Sequence, residues 1–66
     1  MKYKVGDFVY LRDKNDPVWN RYAGQKFYFK LLGLAGKCYK IESITSHYDI
    51  IYRFADFGFP LVILLL

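Results

Sequence analysis

Ser46, His47 and Asp49 are the residue types of an acid–base site, and they stand within four positions of one another. An imidazole can pass a proton near neutral pH, a carboxylate can orient it, and a hydroxyl can act as nucleophile. A working triad draws its members from separate elements, whereas neighbours on one turn rarely converge. His47 therefore reads as a solvated turn histidine. Cys38 is the single cysteine, so neither an intrachain disulfide nor a cysteine metal cluster can form. Its place in a strand predicts a small packed or half-buried thiol. Gly24, Gly33 and Gly36 are too widely spaced to cradle a phosphate, and they precede no helix. No catalytic residue, metal ligand or cofactor is expected, and the chain reads as a non-enzyme.

The aromatic and basic residues offer a different chemistry. Seven Tyr, six Phe and one Trp make up 21% of the chain, and a domain this small can hide only about half of those rings. Trp19, Arg21, Tyr22, Lys26, Tyr28 and Lys30 interleave rings with cations, and Phe8, Tyr10 and Arg12 do the same near the start. These nine are the candidate binding residues. Rings that stack on bases while cations track phosphates suit single-stranded nucleic acid. Trp, Tyr and Arg also dominate the hot spots of protein interfaces. A third reading gives Trp19 and Tyr22 the purely structural task of capping an open end of the fold.

Positioning these side chains falls to short strands. Sixty-six residues allow one domain, spanning 1–66. No 3.6-residue apolar period is sustained, while runs rich in aromatic and β-branched residues recur between turn residues. Asp7 to Arg12 alternates Val9 and Leu11 against Phe8 and Tyr10, which predicts the first pair inward and the second outward. Asp13 to Pro17 reads as a turn. Lys26 to Leu32 reads either as a strand or as one helical turn that places Leu31, Leu32 and Leu34 under the core. Lys37 to Thr45 predicts a long strand with a bulge near Ser43. Ser46-His47 then turns into a returning strand whose Tyr48, Ile50, Tyr52 and Phe54 share a face. Asp56 to Gly58 predicts a turn, and Leu61 to Leu66 a last strand, alone or after a short 3₁₀ turn. The predicted core is Val9, Leu11, Tyr39, Ile41, Ile50 and Tyr52.

Three stretches resemble the small SH3-like proteins encoded by bacteriophages and prophages of Gram-positive bacteria. Lys4-Val5-Gly6-Asp7-Phe8-Val9-Tyr10-Leu11 looks like their opening strand. Leu34-Ala35-Gly36-Lys37-Cys38-Tyr39-Lys40-Ile41 looks like their central strand, and Asp56-Phe57-Gly58-Phe59-Pro60-Leu61 stands where they carry an aromatic segment. KOW modules share the Val-Gly-Asp opening and the glycine before the central strand. This chain departs in its apolar ending, Leu61-Val62-Ile63-Leu64-Leu65-Leu66, where the phage proteins commonly turn acidic. The resemblance implies a mainly β fold, a small SH3-like barrel of four to five antiparallel strands with one short helical or 3₁₀ turn. It transfers no catalytic residue.

These observations predict a small interaction module, phage-encoded by resemblance, that binds a host or viral protein. A counter-defence inhibitor of the anti-CRISPR kind is one such role, and a nucleic-acid-binding KOW-like barrel is the alternative. Residues 1–40 hold nine Lys/Arg against three Asp, and residues 41–66 hold one Arg against three acids, within a net charge of +4. That asymmetry suits an acidic partner. Phe57 to Leu66 is uncharged but far short of the roughly 20 residues that a membrane-spanning helix needs, and Pro60 interrupts it. No membrane partner is expected. Six consecutive apolar residues cannot all face inward from one strand. Either both faces of this strand are covered, or the row Leu61, Ile63, Leu65 or the row Val62, Leu64, Leu66 is exposed and meets another chain. Self-association, as in a homodimer built through this strand, or a partner groove is expected. The lone cysteine and the absence of an apolar leader predict a cytoplasmic protein, in the host cytoplasm if phage-encoded.

Overall fold

A computed structural model describes residues 2–65. The chain is mainly β, as expected, but its strands form two three-stranded antiparallel sheets. The elements are β1 (Phe8–Leu11), a 3₁₀ helix (Pro17–Tyr22), α1 (Tyr28–Leu32), β2 (Cys38–Lys40), β3 (Ser43–Thr45), β4 (Ile51–Phe54) and β5 (Phe57–Pro60). A second 3₁₀ turn (Leu61–Ile63) leads into β6 (Leu64–Leu65). One sheet has the order β2-β1-β6 and the other β3-β4-β5.

Local chemistry explains the boundaries. Gly6, at φ +95°, makes a tight turn in which Asp7 N–H donates to the Lys4 carbonyl, and β1 follows. After β1, the Asp13 carboxylate accepts from Asn15 N–H at 2.9 Å. Asp16 caps the first 3₁₀ helix by accepting from Val18 N–H at 2.9 Å, and Pro17 supplies a preset first residue. Lys26 to Leu32 resolves as a single helical turn and a half, with Leu31 buried and Leu32 and Leu34 half-buried against the core.

The long strand expected over Lys37 to Thr45 breaks at Ile41-Glu42. Ile41 exchanges backbone bonds with Gly6 and Asp7, just before β1 of the first sheet, and Glu42 N–H already donates to the Arg53 carbonyl of the second. The chain changes sheets at this corner, and the Ile41 side chain fills the angle at 1% exposure. Ile41 and Ile44 both turn inward although they are three apart, which an unbroken two-residue period forbids.

The second hairpin also departs from expectation. Its turn is Ala55-Asp56, both at positive φ (52° and 66°), between the paired Phe54 and Phe57. Two residues of that hand match the strand twist. Gly58, expected in the turn, lies inside β5 because a Cβ there would come within 2.6 Å of Ile51 Cγ2. Upstream, β4 begins only at Ile51, so Ile50, predicted as core, is 37% exposed and Tyr48 is 96% exposed. Cys38, expected packed or half-buried, is exposed, because register pairs it with the outward Tyr10.

Neither apolar row expected over Leu61 to Leu66 exists. The 3₁₀ turn interrupts alternation, so the neighbours Ile63 and Leu64 are both buried, while Leu61, Val62 and Leu65 are exposed. Leu66 lies outside the described residues. The core comprises Val9, Leu11, Trp19, Leu31, Ile41, Tyr52, Phe54, Phe59, Ile63 and Leu64. Tyr39 is half-buried beside it, its hydroxyl donating to the Leu34 carbonyl at 2.9 Å.

Truncating the corner residue, Ile41→Ala, should cost about 2–5 kcal/mol, as buried aliphatic deletions do. Denaturant titration followed by circular dichroism measures it, and a variant as stable as the parent would rule out a buried corner. Burial also pushes the Tyr39 hydroxyl above its usual pKa of 10.0. The unfolded phenol ionises first, so its stabilisation is whole below about pH 10 and shrinks as pH rises past that value. Tyr39→Phe should therefore show a weaker fall in unfolding midpoint between neutral and alkaline pH than the parent shows.

Candidate functional site

The two sheets turn their inner faces to one core, and their outer faces differ in kind. On β3-β4-β5 the register sets Ser43, Arg53 and Gly58 in one outer row and Thr45, Ile51 and Pro60 in the next. That surface is largely polar or small. On β2-β1-β6 the outer rows are Phe8 beside Lys40, and Tyr10 between Cys38 and Leu65. Phe8 is 69% exposed, Tyr10 54% and Leu65 51%. Three large apolar side chains thus share one uncovered sheet face, rimmed by the exposed Lys40. Contiguous exposed apolar surface of this kind marks interaction sites more often than single exposed residues do.

Arg12 continues this strand but is committed elsewhere. Its Nε donates to the Val62 carbonyl at 2.8 Å, and its Nη1 stands 3.4 Å from Asp16 Oδ2. It ties β1 to the turn after β5 and leaves little of its charge for a partner.

Trp19 is corrected from binding residue to core. It is 1% exposed, its indole N–H donates to the Arg12 carbonyl at 3.1 Å, and its ring meets the edge of Phe59 at 6.4 Å. The first 3₁₀ helix turns it inward because this small core needs its volume. Tyr22 is half-buried against it at 6.0 Å, and Arg21 lies exposed over the Tyr22 ring. Burial pushes the Tyr22 hydroxyl above its ordinary pKa, and the Arg21 charge opposes this. Trp19 thus lies within the core and Tyr22 packs at its edge.

Lys26, Tyr28 and Lys30 belong to a separate patch around α1. The Lys26 ammonium is 5.6 Å from the Phe27 ring centroid, and that of Lys30 is 5.9 Å from the Phe57 ring. Phe27 meets Phe57 edge-on at 6.1 Å, and the half-buried Tyr28 tilts against Phe29 at 5.4 Å. The nine candidates therefore fall into three places and do not form one site.

Leu65, Cys38 and Lys40 were absent from that candidate set although they complete the β1 face. Pairing Phe8 with Lys40 and Tyr10 with Cys38 needs only the register of two recognisable strands, so this part was within reach of the sequence. Phe27 and Phe29 had no such signal, because their exposure depends on which side of α1 meets the core. Ser46, His47 and Asp49 lie exposed in the β3–β4 loop. Among the described residues no three His, Cys, Asp or Glu side chains come together.

Trp19→Ala should destabilise the fold by about 3–5 kcal/mol, the range for deleting a buried large ring. Binding to any partner should be lost only in proportion to the unfolded fraction. A folded Trp19→Ala protein with abolished binding would return Trp19 to the interface. Comparison of the chain with protein families, with curated proteins and with solved structures finds no match.

Proposed function

We propose that this protein is a non-enzymatic interaction module, an SH3-like barrel of phage type, that binds a protein partner through the outer face of β2-β1-β6. The observation that carries it is the uncovered cluster of Phe8, Tyr10 and Leu65, set against an outer face of the other sheet that carries Ser43, Thr45 and Arg53 and keeps Ile51 and Pro60 half-buried. Leaving rings in water gives up about 25 cal/mol for each Å² of apolar surface that could be buried. A chain of 66 residues can least forgo that stabilisation, so rings left outside call for a use other than folding.

What supports the barrel is the corner at Ile41-Glu42, where one continuous segment serves both sheets. The phage assignment rests on the resemblance of the opening, central and aromatic stretches. A host or viral protein is the partner that such a small surface-blocking module suits, as in counter-defence. Nucleic acid is the weaker reading for this face, since Arg12 is engaged by Asp16 and Val62 and Lys40 stands among apolar neighbours.

The test is copurification of the tagged protein from its native cell with nuclease treatment, followed by measured affinity for the captured protein. Phe8→Ser and Tyr10→Ser should each weaken that complex by roughly 2 kcal/mol or more, as hot-spot truncations do, with circular dichroism unchanged. A complex indifferent to both substitutions would remove the face from the proposal. So would specific oligonucleotide binding tighter than about micromolar at physiological salt that depends on the same rings.

A further inference from the structure

The patch around α1 is separate from the β1 face and rests on different observations. Phe29 is 84% exposed and Phe27 51%, and neither ring carries a polar tip to satisfy water. Lys26 and Lys30 flank them, both exposed. Between Asp16 and Glu42 the chain holds no acidic residue and five cations, Arg21, Lys26, Lys30, Lys37 and Lys40.

We propose that this patch seats the protein on the surface of an anionic lipid bilayer. The Phe27 and Phe29 rings enter the boundary between headgroups and acyl chains, and the Lys26 and Lys30 ammoniums pair with anionic headgroups. Phenylalanine on one side and lysine at the rim is the division of labour by which surface-bound segments hold a membrane. Each ammonium lies within 6 Å of a ring centroid, Lys26 over Phe27 and Lys30 over Phe57, so positive charge and aromatic surface are presented together.

Charge complementarity selects the lipid composition. An acid within this segment would be repelled by phosphatidylserine or phosphatidylinositol headgroups, and from Pro17 to Ile41 there is none. Base stacking is the weaker alternative. Lys26 lies over Phe27 and Phe57 meets that ring edge-to-face, so Phe29 is the one ring of the pair left open, whereas single-strand binders stack successive bases on several rings. A surface contact also needs no spanning segment, so the expectation of no membrane partner, drawn from span length, does not bear on it. Among the described residues no helix is long and apolar enough to cross a membrane.

Sedimentation with sucrose-loaded vesicles tests the proposal, comparing pure phosphatidylcholine with phosphatidylcholine carrying about one-third phosphatidylserine. The protein should sediment with the anionic vesicles and stay in solution with the neutral ones. Phe29→Ser should weaken the partitioning by about tenfold, and Lys26→Glu/Lys30→Glu by at least as much. Phe29 contacts only its neighbour Tyr28 among the described ring pairs, so its loss leaves the core intact, and unchanged emission from the buried Trp19 verifies this. Absence of sedimentation with anionic vesicles would overturn the proposal. Binding that Phe29→Ser leaves untouched would overturn it too, as would a single-stranded oligonucleotide that binds through the same rings in preference to the vesicles.

Discussion

A column of aromatic rings holds the two sheets together. Tyr39 of β2 stacks on Phe54 of β4 at 5.1 Å and 19°, Phe54 stacks on Phe59 of β5 at 5.1 Å and 28°, and Trp19 closes the column edge-on at 6.4 Å. Offset and edge-on pairs at these separations add roughly 0.5–1.5 kcal/mol each beyond the area they bury. With Cys38 alone and exposed, no disulfide can share the task. Rings do here what staples do in other domains of this size. The two polar atoms in the column are both satisfied, Tyr39 by Leu34 and Trp19 by Arg12.

That column decides which rings remain for anything else. It draws Trp19 inward, and with it the residue that looks most like an interface anchor. The outer face of β2-β1-β6 then keeps Phe8 and Tyr10 because strand alternation commits Val9 and Leu11 to the interior. The α1 patch keeps Phe27 and Phe29 because Leu31 is the side chain that the short helix gives to the core. Both uncovered surfaces are thus by-products of how the interior is filled, and each carries a composition that water alone does not explain.

Much of this architecture was legible in the sequence, and the exceptions share a cause. Val9, Leu11, Ile41 and Tyr52 were readable as core because period-two alternation is a local property. Phe8 and Tyr10 were readable as exposed for the same reason. The break at Ile41-Glu42 was not, because a strand that changes sheets looks like a bulged strand until its partners are known. Ala55-Asp56 hid as a turn because neither residue is glycine, whereas Gly58 advertised a turn and instead accommodates Ile51 across the hairpin. Trp19 reads as an anchor from its local spacing with Arg21 and Tyr22, but that spacing says nothing about volume demanded from the other sheet. The α1 patch is half visible: interleaving with rings marks Lys26 and Lys30, whereas nothing local marks Phe27 and Phe29 as exposed.

The two sheets also differ in how far apart their strands lie along the chain. The β3-β4-β5 sheet is a meander whose neighbours follow one another, so each pair closes a short loop. The β2-β1-β6 sheet joins Tyr10 to Cys38 and Leu11 to Leu64, contacts that enclose most of the chain. Closing long loops costs more chain entropy and slows folding. The meander can therefore organise early, while the sheet bearing Phe8, Tyr10 and Leu65 is completed only when distant segments have met. Among the described residues β6 contributes Leu64 and Leu65 to that closure. Losing that short pairing would part Leu65 from Tyr10, so the β1 face depends on a contact between residues distant along the chain.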